Sequence, residues 1–304
     1  MASTRKALFE AVPNISEGRR PEVVAEIVGA IKSSGGATVL DVSSDPDHNR
    51  SVLTLAGDAD ALLAASLALF EAALGRIDLR THKGEHPRMG AVDVLPFVPV
   101  RGATMADATA LARRAGEAAA ERFGVPIYLY AESATSEARR LLPDIRKGEF
   151  EGFAEKILRP EWKPDFGPAK VHASAGVTAV GARPFLIAYN INLGTNDLTI
   201  AEKIGKAIRA SSGGYRFVQA RGIPLEGRGI VQVSMNLLDF RKTPIFRVFE
   251  TVRSEAERYG VSIVGSEIVG LVPQDALLAA AEHYLRIEGF SDQLVFESRL
   301  DAAL

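Results

Sequence analysis

The sequence predicts an α/β (α+β) protein built from two repeats of one supersecondary unit, and three observations carry that reading. The chain has 304 residues, room for about two domains at roughly 150 residues each. Short apolar runs rich in β-branched residues alternate with longer runs of helical, 3.6-residue period. Between residues 8 and 100 these runs follow the order β-α-β-β-α-β, and the same order recurs from residue 185.

Taken in order, residues 8–12 read as a strand. Residues 21–32 read as a helix, with Pro21 in its first turn and apolar positions at Val23, Val24, Ile27, Val28 and Ile31. Residues 37–42 and 51–56 read as strands around a polar loop, 43–50. Residues 59–74 form a helix and 92–100 a strand. A helix over 105–123 and a strand over 126–130 extend the unit. In the second half the strands are 185–193, 216–220, 230–237 and 261–264. The helices are 198–210 and 245–259, with a further helix over 273–287. Two such units imply two ferredoxin-like layers, two sheets with helices on the outer faces and a cleft between. The expected division is 1–178 and 179–304, with the joint inside the Pro- and aromatic-rich stretch 160–183, whose Trp162 and Phe166 serve either to pack a linker or to wall a ligand.

Composition excludes several classes. Apolar residues make up 47% of the chain, enough for a core, and the charges nearly cancel at a net −2. No basic stripe points to nucleic acid. There is no cysteine, hence no disulfide framework and no thiol catalysis. The first six residues carry no signal-peptide core. The apolar run 59–74 is broken by Asp60 and Glu71 and is too short to span a bilayer. A soluble, cytoplasmic protein is the expectation.

The most informative stretch is Thr81-His82-Lys83-Gly84-Glu85-His86-Pro87-Arg88-Met89-Gly90, which holds two of the five histidines and runs into an apolar strand. Lys83 stands where the zinc-protease pattern needs Glu, and Gly84 and Pro87 argue against a helix that would bring His82 and His86 to one metal. No metal site is expected. A solvated polar loop is the plain alternative. Against it, Pro87 restrains the backbone beside His86, and imidazole takes up and returns protons near neutral pH. His86 thus reads as a general acid/base candidate.

Two other stretches mimic known loops. Asp45-Pro-Asp47-His-Asn49-Arg50 lacks the Gly and Glu of a calcium loop, although Asp41, Asp45, Asp47, His48 and Arg50 remain candidates to line a cleft. Residues 176–183, from Gly176 to Arg183, resemble a phosphate loop without its Lys-Ser/Thr pair, so no ATP site is expected.

The stretch 81–90 resembles the signature of the formiminotransferase family. So do Glu10-Ala-Val-Pro-Asn-Ile-Ser-Glu-Gly18, Leu95-Pro-Phe-Val-Pro-Val-Arg-Gly102, Val125-Pro-Ile-Tyr-Leu-Tyr130, Pro164-Asp-Phe-Gly-Pro168, Gly181-Ala-Arg-Pro-Phe-Leu-Ile-Ala-Tyr-Asn-Ile-Asn192 and Val264-Gly-Ser-Glu-Ile-Val-Gly-Leu-Val-Pro273. The resemblance runs from about residue 8 to about residue 290. It implies formimidoyl transfer between N-formimino-L-glutamate and tetrahydrofolate, with tetrahydrofolate as co-substrate and no further cofactor.

The family's catalytic His falls on His86, with His82 as runner-up; Arg88 or Arg183 is left to pair with a glutamate carboxylate. Its folate segment falls on Gly167, Pro168, Ala169, Lys170, Val171, His172, Ala173, Ser174, Ala175 and Gly176, where Ala169, Lys170, His172 and Ala175 depart from the best-known members. A bulky residue at Gly176 is expected to fill space needed by the folate. The resemblance also implies a homodimer, and 304 residues leave no room for the cyclodeaminase domain of bifunctional members. Two alternatives stay open: a folate cycloligase-like activity on 5-formyltetrahydrofolate, which needs ATP, and a non-catalytic folate-binding module.

Overall fold

A computed structural model describes residues 6–303; residues 1–5, most of the stretch read as lacking a signal-peptide core, lie outside the described residues. The chain divides into two compact units, Met1–Pro184 and Phe185–Leu304.

The first unit opens with β1 (Leu8–Ala11) and β2 (Asn14–Ile15), two pieces of one extended run parted by Pro13. Helix α1 (Pro21–Ser33) follows, with Pro at its first position and Val23, Val24, Ile27 and Ile31 buried on one face. Strands β3 (Thr38–Asp45) and β4 (Arg50–Gly57) form a hairpin. Helix α2 (Ala59–Arg76) starts on Asp58, whose carboxylate accepts from Ala61 N. Then come β5 (Val92–Arg101) and α3 (Met105–Phe123), which has a Thr104/Asp107 capping box and ends on left-handed Gly124. Strand β6 (Ile127–Ala131), the short helices α4 (Leu142–Arg146) and α5 (Glu149–Lys156), and β7 (Thr178–Ala182) complete the unit.

Strands β1 and β2 both lie between β4 and β5; β3 pairs outside β4, and β7 and β6 add in parallel beyond β5. Helices α1, α2 and α3 share one core with the sheet, built on residues such as Phe9, Leu55, Leu69, Leu95 and Phe97. On the opposite face a smaller core joins Val94, Tyr128, Tyr130 and Ala179 to Ile145 and Phe153.

The second unit contains β8 (Ile187–Leu193), α6 (Leu198–Ile208), β9 (Val218–Leu225), β10 (Ile230–Leu237), α7 (Ile245–Arg258), β11 (Ile263–Val269), α8 (Gln274–Leu285) and α9 (Phe296–Ala303). Its sheet has the order β11-β8-β10-β9, all antiparallel, so the first strand of the unit is central. Odd-numbered residues of β8 and β10 pack against Ile204, Val248 and Val252 of α6 and α7.

Most elements fall where their period puts them, while α4, α5, β7 and α9 were not read from the sequence. Residues 178–182 are not a glycine loop: they form β7, fully buried between β5 and β6. The units therefore part at 184/185 and not at 178/179. Nor is the stretch 160–168 a free linker. Asp165 N donates to Ile127 O and Ile127 N to Phe166 O, closing the outer edge of β6.

Gly176 is also not open space. It holds φ +70°, and a Cβ there would lie 2.0 Å from the Met89 carbonyl oxygen. Gly176→Ala should thus cost roughly 2–5 kcal/mol, from left-handed strain and steric clash, read from urea denaturation. An unchanged midpoint would show that the backbone relaxes without cost.

Candidate active site

The stretch 81–90 is irregular backbone, as its Gly and Pro dictate, and it docks on the β3–β4 turn. Asn49 sits at φ +47°, a conformation that Asn tolerates better than most residues. Its Oδ1 accepts from Gly18 N at 2.9 Å, its Nδ2 donates to Lys83 O at 2.9 Å, and Glu85 N donates to Asp47 O at 3.2 Å. Three backbone segments approach so closely that only glycine fits at two points. A Cβ on Gly18 would be 2.3 Å from Asp45 O, and one on Gly84 2.3 Å from His48 O.

The two histidines are thereby placed in different roles. His82 Nε2 donates to Asn49 O at 2.9 Å, and its Nδ1 accepts from Arg88 Nε at 3.3 Å. Both ring nitrogens are used, so His82 is a brace. His86 is half-buried against a charged cluster. Asp93, fully buried on β5, takes Arg50 Nη1 at 3.1 Å, Arg146 Nη2 at 2.6 Å and Met89 N at 2.8 Å. Arg50 also donates to Asn14 Oδ1, and its Nη1 lies 3.1 Å from His86 Nδ1. Arg146 comes from α4, whose last carbonyls are held by Lys156 Nζ at 2.6–3.0 Å.

This geometry sets the state of His86. Nδ1 is 2.6 Å from its neighbour's carbonyl, Pro87 O, which requires a proton on Nδ1. Arg50 Nη1 would need a lone pair at the same atom, and its contact, at 3.1 Å, is the longer of the two. With the proton on Nδ1, as the shorter contact favours, Nε2 keeps its lone pair. Burial, then the guanidinium groups of Arg50 and Arg146, hold the imidazole far below its ordinary pKa. Burial pushes the Asp93 carboxyl up, but Arg146, Arg50 and the Met89 N–H outweigh it and keep it ionised. Two guanidinium groups against one carboxylate leave the site electropositive, suited to anionic substrates. The His48 ring, tied to Asp45 at 2.8 Å, stands edge-on to His86 with centroids 5.9 Å apart.

Other expected site residues distribute as follows. Arg88 is saturated: Glu151 accepts two of its bonds, at 2.6 and 2.8 Å, and Glu149 one at 3.2 Å. It ties the loop to α5 and has little left for a substrate carboxylate. Arg183, half-buried, donates to Pro184 O at 3.0 Å. Within 167–176, residues 167–170 are exposed, while 172–176 form a turn closed by His172 N→Gly176 O (3.1 Å) and Gly176 N→His172 O (3.0 Å). That turn packs on the end of the histidine stretch, since Ala91 N donates to Ala175 O and Val177 N to Met89 O, both at 2.9 Å. The structure thus brings the two sequence-predicted segments side by side. Sequence reasoning missed Asp93, Arg146 and Asn14. An acid inside the apolar run 91–100 was the one available signal. Among the described residues no group of three or more His, Asp or Glu side chains converges as a metal-ligand set.

A neutral histidine braced by a buried ion cluster at the edge of an α/β sheet is a candidate for acid/base chemistry. The chain belongs to the formiminotransferase family: residues 8–183 match its N-terminal subdomain and residues 188–300 its formiminotransferase domain. It is 48% identical to glutamate formimidoyltransferase of Streptococcus pyogenes serotype M1, over 93% of this chain and 95% of that one. It is 47% identical to glutamate formimidoyltransferase of Thermoplasma acidophilum, over 98% of both. It is 46% identical to formimidoyltransferase-cyclodeaminase of Gallus gallus, over 92% of this chain and 53% of that longer one.

The depressed pKa of His86 makes a pH prediction. Its folded pKa lies below the unfolded value of about 6.5, so below pH 6.5 the unfolded chain binds the extra proton. His86 therefore removes stability as pH falls through 6.5. Between pH 7 and 5 the melting temperature of the wild type should drop more than that of His86→Gln. Parallel curves would place the imidazole pKa near its ordinary value.

Proposed function

We propose that this chain is a glutamate formimidoyltransferase: it moves the formimidoyl group between N-formimino-L-glutamate and tetrahydrofolate, giving 5-formimidoyltetrahydrofolate and L-glutamate. Two relatives of that name, 47–48% identical over nearly the full length of both chains, support the substrates. The observation that carries the mechanism is the free Nε2 of a neutral His86.

In the proposed reaction N5 of tetrahydrofolate attacks the formimidoyl carbon, and His86 Nε2 takes the proton that N5 gives up. The carbon–nitrogen bond to glutamate then breaks, and the imidazolium returns the proton to the leaving α-nitrogen. A strongly depressed pKa makes that imidazolium a strong acid toward the leaving amine. Arg50 and Arg146 favour the substrates' carboxylates electrostatically. Arg183, not Arg88, is the guanidinium proposed to pair with the donor glutamate. The segment 167–176 is proposed as the folate wall, through exposed residues 167–170 and not through Gly176. Much of the rate comes from holding two substrates together, and no metal is required.

His86→Ala should lose roughly 10²–10⁴ in turnover with folate affinity largely kept, and exhaustive chelation should leave wild-type turnover unchanged. Full activity in folded His86→Ala would end the assignment of the shuttle; loss on chelation would end the metal-free mechanism.

A cytoplasmic homodimer is proposed with the same reading. Leu285, Leu294 and Phe296 at the end of the second unit are 71, 68 and 73% exposed, more apolar surface than a solvated tail needs. No described helix is long and apolar enough to cross a membrane. Sedimentation equilibrium should give twice the chain mass, and a monomer at micromolar concentration would remove the dimer.

A further inference from the structure

Helix α4 supplies Arg146 to the ion cluster, yet little in its own sequence holds α4. It is five residues long, and only Ile145 is buried on it. A single turn is marginal by itself. Arg146 depends on where that turn sits. Its Nη2 donates to Asp93 Oδ2 at 2.6 Å, while its buried Nε has no partner among the described residues. The guanidinium is thus held at its tip by Asp93 and at its root by the backbone that carries it.

That backbone is gripped by Lys156, the last residue of α5. The link between the two helices passes through left-handed conformations at Gly148 (φ +95°) and Glu149 (φ +52°), and α5 then returns Lys156 to the carbonyl end of α4. Lys156 is 7% exposed. Its Nζ donates to Asp144 O at 2.8 Å, Ile145 O at 2.6 Å and Lys147 O at 3.0 Å. It also lies 3.9 Å from the Trp162 ring centroid and 5.0 Å from that of Phe153. Three carbonyls need three protons, and only the ammonium has three. A neutral amine has two, and would turn its lone pair on the third oxygen.

We propose that Lys156 is a positioning residue for formimidoyl transfer: its ammonium fixes the end of α4, keeps Arg146 on Asp93, and through Asp93 and Arg50 sets the surroundings of His86. The proposal deepens the transferase reading above and rests on it. Arg146 and Arg50 share Asp93 Oδ2, and Arg50 Nη1 lies 3.1 Å from His86 Nδ1. Losing the ammonium frees the end of α4, withdraws Arg146 and leaves Arg50 alone on that oxygen. The charged groups around Lys156 are Asp144 and Lys147, on α4 and at its end, and Arg159 beyond α5. Burial lowers the ammonium's pKa, Asp144 opposes this, and Arg159 and Lys147 add to it, bringing the group down to about 8. The grip is therefore present below that pH and lost as pH rises through it.

The test compares the wild type with Lys156→Met, Arg146→Met and the double variant, in turnover of formiminoglutamate with tetrahydrofolate and in the titration of the His86 imidazole by NMR. Lys156→Met should lose roughly 10- to 100-fold in kcat at pH 7, as for a reacting group displaced by about 1 Å. The double variant should be no slower than Arg146→Met, because residues that act through one contact do not add. In both single variants the His86 pKa should rise toward about 6.5, since a cation beside it has gone; a lysine that only stabilised the fold would not move it. Wild-type turnover should fall reversibly as pH passes about 8, and in Lys156→Met that fall should be absent. Full turnover in folded Lys156→Met, losses that multiply in the double variant, or an unmoved His86 pKa overturns the positioning role and leaves the transferase reading standing. Should Lys156→Met not fold, the wild-type profile decides: turnover unchanged up to pH 10 overturns the role. A wild type without formimidoyl transfer overturns the transferase reading itself, and the role with it.

Discussion

One fully buried carboxylate holds the candidate active site together. Asp93 binds a strand neighbour, a helix and a loop at once: Arg50 from β4, Arg146 from α4 and the Met89 amide at the end of the histidine stretch. An ionised group in such a place survives only if its bonds are made, and stripping one partner from a buried pair costs about 3–5 kcal/mol. The three elements are therefore not free to drift. The short helix α4 would be marginal alone. It is fastened by Arg146 to Asp93 and by Lys156, whose ammonium donates to three of its neighbouring carbonyls and lies 3.9 Å from the Trp162 ring centroid.

The cluster does more than hold geometry. With two guanidinium groups around one carboxylate, the adjacent imidazole is kept uncharged by burial and repulsion. In the proposed reaction an anionic substrate would offset that repulsion and raise the imidazole's affinity for a proton. The Pro87 carbonyl selects the tautomer, and His82, with both nitrogens committed, serves the backbone that presents His86. Two histidines four residues apart thus divide into a candidate base and a brace through their partners, not through their own chemistry.

The two units carry polarity differently. In the first, charge is concentrated where a buried acid meets two arginines. In the second, the helix-free sheet face carries a neutral amide network around Glu267. Both are buried polar networks, which cost free energy unless satisfied and fix a unique arrangement when they are. Each leaves groups uncommitted, Nε2 of His86 in one unit and the second oxygen of Glu267 in the other. Such groups are where ligand chemistry is to be sought.

The type and order of most elements were legible in the sequence because they depend on local period, with Pro21 opening α1; the short helices α4, α5 and α9 were not. The histidine stretch was legible because its Gly and Pro forbid a helix. Three other things were not. Residues 176–183 read as a glycine loop because small residues are ambiguous by themselves; only their place between β5 and β6 makes 178–182 a strand. Gly176 read as space for a ligand, and is instead required by the Met89 carbonyl. Arg88 read as a free cation, and is taken by Glu149 and Glu151, which lie some sixty residues onward. The sequence by itself determined the fold class, the family and the histidine to watch. Only the tertiary structure decided which polar groups are spent and which remain available. Hydrogen-bond and ion-pair partners are chosen by proximity across strands and loops, and no local pattern records who will be near.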